Sequence, residues 1–238
     1  MRILPLIVLG VSVAAQVPDR FANLQVLPKD IPKQELTNLM RGFSFSLGVR
    51  CVTCHVGKSD GSLNEMDFAS DTKETKRKAR VMMQMVEAMN RNYVAKLEPV
   101  TTARVDCVTC HHGLEKPKPL QTLLAEEFEK KDLAASIALY RDLRKNYYGG
   151  AQYDFSETSL NLLVESLGAK HTKEAAAFME LNAEVNSLTN WGRSLLAMAH
   201  RANGEREKAI DDFQKIVDTN PNDGWAKQQL EALKSIKK

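Results

Sequence analysis

Apolar residues recur at helical spacing along most of this chain. Leu36, Leu39, Met40 and Phe43 predict a helix that starts near Pro32 and ends at a Gly48 turn. Residues 73–93 predict a longer helix, on which Met82, Met85, Val86 and Met89 share one face and Met83 lies beside it. Between these helices Asp60-Gly61 marks a turn. From Leu120 onward the pattern reads as helix pairs, over residues 120–146 and 156–186 and again across Leu196 to Pro221, with a loop at Tyr147-Tyr148-Gly149-Gly150. A turn at Asn220-Pro221-Asn222-Asp223-Gly224 precedes a last helix over residues 225–236. The expected fold class is all-α.

The first residues follow another pattern. Arg2 precedes the uncharged run 3–15, which closes on Val13-Ala14-Ala15 before Val17-Pro18-Asp19-Arg20 breaks it. A basic start, an apolar stretch and small residues at its end predict a signal peptide over residues 1–15. The run is too short for a bilayer-spanning helix, which needs about 20 apolar residues. The mature chain is therefore expected to be exported, with no transmembrane segment. The net charge of +3 is too small to indicate a nucleic-acid partner, and no Lys/Arg-rich patch interleaved with aromatics occurs.

Composition shifts at Lys116-Pro117-Lys118-Pro119, which predicts modules over residues 16–118 and 119–238. In the second, Ala175 and Ala209 stand 34 residues apart. Leu196, Ala197, His200, Gly204, Ala209, Phe213 and Pro221 occupy positions like those of the tetratricopeptide consensus. Small residues at repeated positions let helix pairs stack into a concave surface that commonly docks a protein. The bland alternative is a set of helices that only pad the first module. His200 sits where an aromatic usually packs and reads as core, and His171 falls in a turn.

The cysteines carry the chemistry. All four lie in Cys51-Val52-Thr53-Cys54-His55 and Cys107-Val108-Thr109-Cys110-His111. Two intervening residues give about one helical turn, so both sulfurs reach one edge of a porphyrin. The following His supplies an axial ligand to the iron. A thioredoxin-like pair would need a βαβ context, and zinc knuckles are usually about 15–20 residues apart. The reading is two covalently attached c-type haems, on Cys51, Cys54, Cys107 and Cys110, with His55 and His111 as axial ligands.

The sixth iron position is less determined by the residues alone. Met40 lies close before the first motif, and Met82, Met83, Met85 and Met89 precede the second. Helical methionines are most often packing residues, although thioether ligation to haem is common. The four methionines before the second motif cannot be ranked on spacing. His112 reads as a propionate or surface residue. The basic run from Lys73 to Arg80 reads as a solvated helix face or, at Lys76 or Arg80, as partners of haem propionates.

One family matches this order of motifs. Asn23-Leu24-Gln25-Val26-Leu27, the Met40 helix and Gly48-Val49-Arg50 lead into the first pentapeptide. Ala69-Ser70-Asp71, Lys76, Ala79-Arg80-Val81-Met82, Gln84-Met85 and Asn90-Arg91-Asn92-Tyr93 follow, and then Asp106, the second pentapeptide, Gly113, Lys116 and Pro117. Over residues 23–117 the chain resembles the haem-binding repeat of the cytochrome subunit of photosynthetic reaction centres. The resemblance implies two haems related by an approximate two-fold axis, with Met40 opposite His55 and Met82 opposite His111. Met83 and Met85 stand in reserve. Family members carry two such repeats and four haems, whereas this sequence has one repeat, so a reaction-centre partner is not implied.

Together these readings give an exported dihaem cytochrome that carries electrons between redox proteins, a membrane-bound electron-transfer complex among them, with a tetratricopeptide-like docking module. The alternatives are a dihaem peroxidase or reductase with one open haem, and a haem-bearing scaffold or sensor. No catalytic triad or paired-carboxylate motif suggests bond-making catalysis.

Overall fold

The computed structural model describes residues 18, 20–58, 63–97 and 103–235. The expected leader at residues 1–15 and the Asp60-Gly61 turn lie outside them. The fold is all-α, and an isolated antiparallel bridge between Val56 and Asp67 is the β pairing among the described residues. The chain divides into two compact units, Met1–Pro117 and Lys118–Lys238, so the division falls inside the Lys/Pro run.

The first unit contains α1 (Lys33–Leu47), α2 (Cys51–Cys54), α3 (Glu74–Asn92) and α4 (Cys107–His111), with short 3-10 turns at Leu63–Glu65 and Val94–Lys96. Gly48 ends α1 in the left-handed region at φ 64°. Its N–H donates to Phe45 O, and the Val49 N–H donates to Ser44 O at 3.0 Å, which satisfies the last carbonyls of the helix. The two long helices pack crosswise, α1 against α4 and α3 against α2. Neither α1 with α2 nor α3 with α4 is a closely packed pair.

Among the described residues the first unit buries little apolar surface of its own. Ile31 and Leu36 are its buried apolar side chains. By contrast Phe45 (81% exposed), Val56, Val81, Met82, Met85, Tyr93, Leu97 and Val108 face outward. A large apolar side chain left in water forgoes roughly 1.5–3 kcal/mol of transfer free energy.

The second unit is the reverse. It contains α5 (Leu120–Lys130), α6 (Leu133–Tyr147), α7 (Glu157–Leu167), α8 (Thr172–Val185), α9 (Asn190–Ala202), α10 (Arg206–Thr219) and α11 (Gly224–Ser235). Ile236, expected in the last helix, lies outside the described residues. Each helix packs on its neighbour, except across the α6–α7 connection, and α5–α7, α7–α9 and α6–α8 pack as well. Helix pairs therefore stack in series. Leu120, Leu124, Tyr140, Leu160, Leu163 and Phe178 anchor one core, and Phe213, Ile216 and Leu230 anchor the next. Ala175 and Ala209 are both buried, since a larger residue would hold the stacked helices apart. Asp132 Oδ1 caps α6 by accepting from the Ala135 N–H at 2.7 Å, and Ser156 Oγ caps α7.

Candidate haem-attachment sites

Both cysteine pairs sit on single helical turns. In the first motif the His55 N–H donates to Cys51 O at 2.9 Å, so the turn that spaces Cys51 from Cys54 also places the histidine. Cys51 is exposed and Cys54 half-buried, and neither is in a disulfide. Burial raises the Cys54 thiol above its ordinary pKa. The His55 imidazole is pushed below its ordinary value, first by burial and then by the Lys76 ammonium, which favours the neutral form a metal requires. Its ring meets Phe68 edge-on at 5.1 Å, and Nδ1 is buried without a hydrogen-bonding partner.

In the second motif the Asp106 N–H donates to Thr109 Oγ1 at 3.0 Å, fixing the start of α4. His112 then adopts the left-handed conformation at φ 50°, Gly113 follows at φ 84°, and the chain turns back. This turn brings Leu114 O to 2.8 Å from His111 Nδ1. A carbonyl can only accept, so Nδ1 carries the proton and Nε2 keeps its lone pair. That is the tautomer of an axial ligand, held by a backbone carbonyl behind it. His112 is exposed and leaves the motif, as a surface residue would. Cys107, like Cys54, has its thiol pKa raised by burial, and Cys110 is exposed.

The candidate sixth ligands lie on the crosswise helices. Met40 is half-buried on α1, and Met82 and Met85, each 43% exposed, stand beside Val81 on α3. The structure joins α1 to the second motif and α3 to the first through backbone packing. It leaves the face between each helix and the motif that follows it without close helix contact. The outward methionine, valine and phenylalanine side chains on these helices are the apolar surface that a flat group bonded to the cysteines would need.

Lys76 and Arg80 are largely withdrawn from solvent and already engaged within the protein. Lys76 is 8% exposed, and its Nζ donates to Phe68 O (2.8 Å), Ala69 O (3.1 Å) and Ser70 O (2.8 Å). Asp71 lies 3.2 Å from Lys76 and 2.9 Å from Arg80, and Arg80 also donates to Asn23 O. The Arg80 guanidinium, with Asn23 next, holds the Asp71 carboxyl well below the usual carboxylate range. The knot closes the loop over residues 66–72, whose Phe68 contacts His55. From α3, Lys73 and Thr75 also donate to Val52 O and Thr53 O of α2. A lone lysine in a basic run gave no sequence signal for this.

Asn90 was missed as well. Its Oδ1 accepts from the Val105 N–H at 2.8 Å, and its Nδ2 donates to Val105 O at 2.7 Å. Asn90 stands in the stretch that resembles the family pattern, and an asparagine inside a methionine-rich helix is a poor helix former, but neither signal names a partner.

In the second unit His200 is 4% exposed, as a core reading expects, and bonds Asp212 through Nδ1 at 2.9 Å. Its Nε2 faces Glu180 and Glu205, a group with metal-ligand spacing. Lys208 bridges both carboxylates at 2.8 Å and supplies the cation there. His171 lies at the start of α8 with its ring against Phe128.

Residues 59–160 match the family described as photosynthetic reaction centre cytochrome C subunit. That stretch contains α3 and the second motif and begins just after the first. A curated relative, the photosynthetic reaction center cytochrome c subunit of Roseobacter denitrificans, is 33% identical over 132 residues. The alignment covers 48% of this chain and 33% of the relative, so the chain spans about a third of the length of the relative it matches. No solved structure matches. The likeness is thus to a cytochrome c subunit, and the family match runs from just after the first motif, across the second motif, into the first helices of the second unit.

Proposed function

We propose that this chain is an exported dihaem c-type cytochrome that relays electrons between redox proteins. One observation carries the reading most: two Cys-x-x-Cys-His turns stand in a unit whose apolar side chains face outward. Similarity to a reaction-centre cytochrome c subunit supports a haem protein in electron transfer. Covalent haem supplies one-electron chemistry at its iron. The chain's own residues do the rest. Cys51, Cys54, Cys107 and Cys110 would hold the porphyrin edges, and His55 and His111 would bind the irons. Leu114 O fixes the His111 tautomer. Met40 and Met82 would supply the remaining iron ligands, with Met83 and Met85 in reserve at the second site, and would keep exogenous ligands out.

The signal at Arg2 and residues 3–15 supports export. The stacked helix pairs from Leu120 onward, with their 34-residue period, support a tetratricopeptide-like module that docks a partner protein. No helix among the described residues is long and apolar enough to cross a membrane.

The test is the visible spectrum of protein matured with haem, quantified by pyridine haemochrome and intact mass. Two haems per chain, neither binding carbon monoxide rapidly when ferrous at neutral pH, is the expected result. Rapid binding at half the haem would replace the relay with an enzyme that keeps one iron open. A mass without added haem would end the cytochrome reading.

A further inference from the structure

The two hydrogen bonds between Asn90 and Val105 join the second cysteine motif to the methionine helix. We infer that Asn90 is a positioning residue for the second haem: it sets the distance between the His111 side and the methionine side of that site. The inference rests on the dihaem reading above and adds a determinant of its sixth ligand.

The geometry is specific. Asn90 presents both halves of its amide to one residue, accepting from the Val105 N–H and donating to the Val105 C=O, as a neighbouring strand would. Its Nδ2 also bonds Val86 O one turn back at 3.0 Å, which fixes the side-chain rotamer. Val105 lies two residues before Cys107, and the Asp106–Thr109 bond carries the register directly into α4. On the other side, Asn90 shares a rigid helix with the methionines. Met82 lies about 12 Å up the axis, at 1.5 Å per residue. Since α3 and α4 are not closely packed, this amide is a direct strut between the two faces. Ligand geometry must hold to within about 0.5 Å for a functional site, and a strut through two short hydrogen bonds provides that.

Other side-chain clusters are closed or lack an identified partner. The Glu180–His200–Glu205 cluster is closed by Lys208, and Arg41 and Arg50 beside Cys51 are exposed cations with nothing to identify what they meet.

The experiment uses full-length protein matured with haem, as wild type, Asn90→Ala and Asn90→Asp. It measures carbon monoxide binding to the ferrous form, the near-red His/Met charge-transfer band of the ferric form, and both reduction potentials. Wild type shows two inert haems. In Asn90→Ala one haem binds carbon monoxide, about half the charge-transfer band is lost, and one potential falls while the other holds. Asn90→Asp keeps the acceptor for the Val105 N–H, loses the donor and falls in between, and it carries the test if the alanine variant does not accumulate. Variants with both haems inert and both potentials unchanged, whatever their melting temperature, overturn the positioning role and leave the relay intact. A wild type lacking inert haems overturns the relay itself, and this inference with it.

Discussion

Gly48 and Gly113 meet so closely that the Gly48 Cα faces the Gly113 carbonyl with no room for a side chain. The Gly113 N–H donates to Ser46 O at 2.9 Å, so the end of α1 is joined to the turn that follows the second motif. Each motif is thereby braced by the helix belonging to the other, since α3 holds α2 in the same way. The two candidate haem sites form one mechanical unit.

Gly48→Ala tests that brace. The new methyl would strike the Gly113 carbonyl, and an L-residue at φ 64° costs about 1–2 kcal/mol before any clash. The expected outcome is a fall of at least several degrees in the melting temperature of the haem-bearing unit. Gly42→Ala, on the same helix with open space around it, should leave the melt unchanged or raise it slightly. Equal melts for the two variants would remove Gly48 from the brace.

Lys76→Met removes a buried ammonium from three carbonyls and a carboxylate. The loss strands Phe68 O and Ser70 O and leaves Asp71 with Arg80 as its remaining cation, at roughly 3 kcal/mol or more. Chemical denaturation followed by the haem absorbance should show a lower midpoint with little change in slope. The first haem should be released or altered before the second, because the freed loop carries Phe68 against His55.

Much of this was legible in the sequence. The Cys-x-x-Cys-His pairs, the 3.6-residue periodicity and the change of composition near Lys118 are local signals, and local signals survive without coordinates. The Met82 helix, expected over residues 73–93, forms as α3 over Glu74–Asn92. The crosswise packing was not legible, because it depends on contacts between residues as distant in sequence as Gly48 and Gly113. The role of Lys76 was hidden for a related reason. A lysine among lysines looks solvated until the loop that caps it is seen. Asn90 carried a place in the family pattern and a propensity mismatch, which say that it matters but not which residue it meets.

Asp71 gives a pH dependence with a definite sign. Its folded-state pKa is depressed, chiefly by Arg80, so its contribution is fully present above the unfolded aspartate value of about 3.9. That contribution fades as pH falls below this value toward the folded-state one. Thermal melts of the haem-bearing unit should therefore lose stability between about pH 4 and lower values, and Asp71→Asn should flatten that limb while lowering the plateau. An unchanged acid limb in the variant would assign the acid sensitivity to other carboxylates.

The two units should differ in their need for haem. In the second, Phe178, Phe213, Leu160 and Ile216 are fully buried in packed cores, which suffices for a stack of helix pairs to fold alone. In the first, Ile31 and Leu36 are the buried apolar residues among those described, too few to offset the ordering of its backbone. Replacing Cys51, Cys54, Cys107 and Cys110 by Ala abolishes attachment without touching either core. Limited proteolysis of that variant should digest the chain up to about Pro117 and leave a resistant fragment from Lys118 onward, with one cooperative melt. Full-length protein carrying both haems should resist over both units. Equal resistance of the first unit with and without haem would show that its outward apolar residues do not mark a cofactor bed, and would remove the main structural support for the dihaem reading.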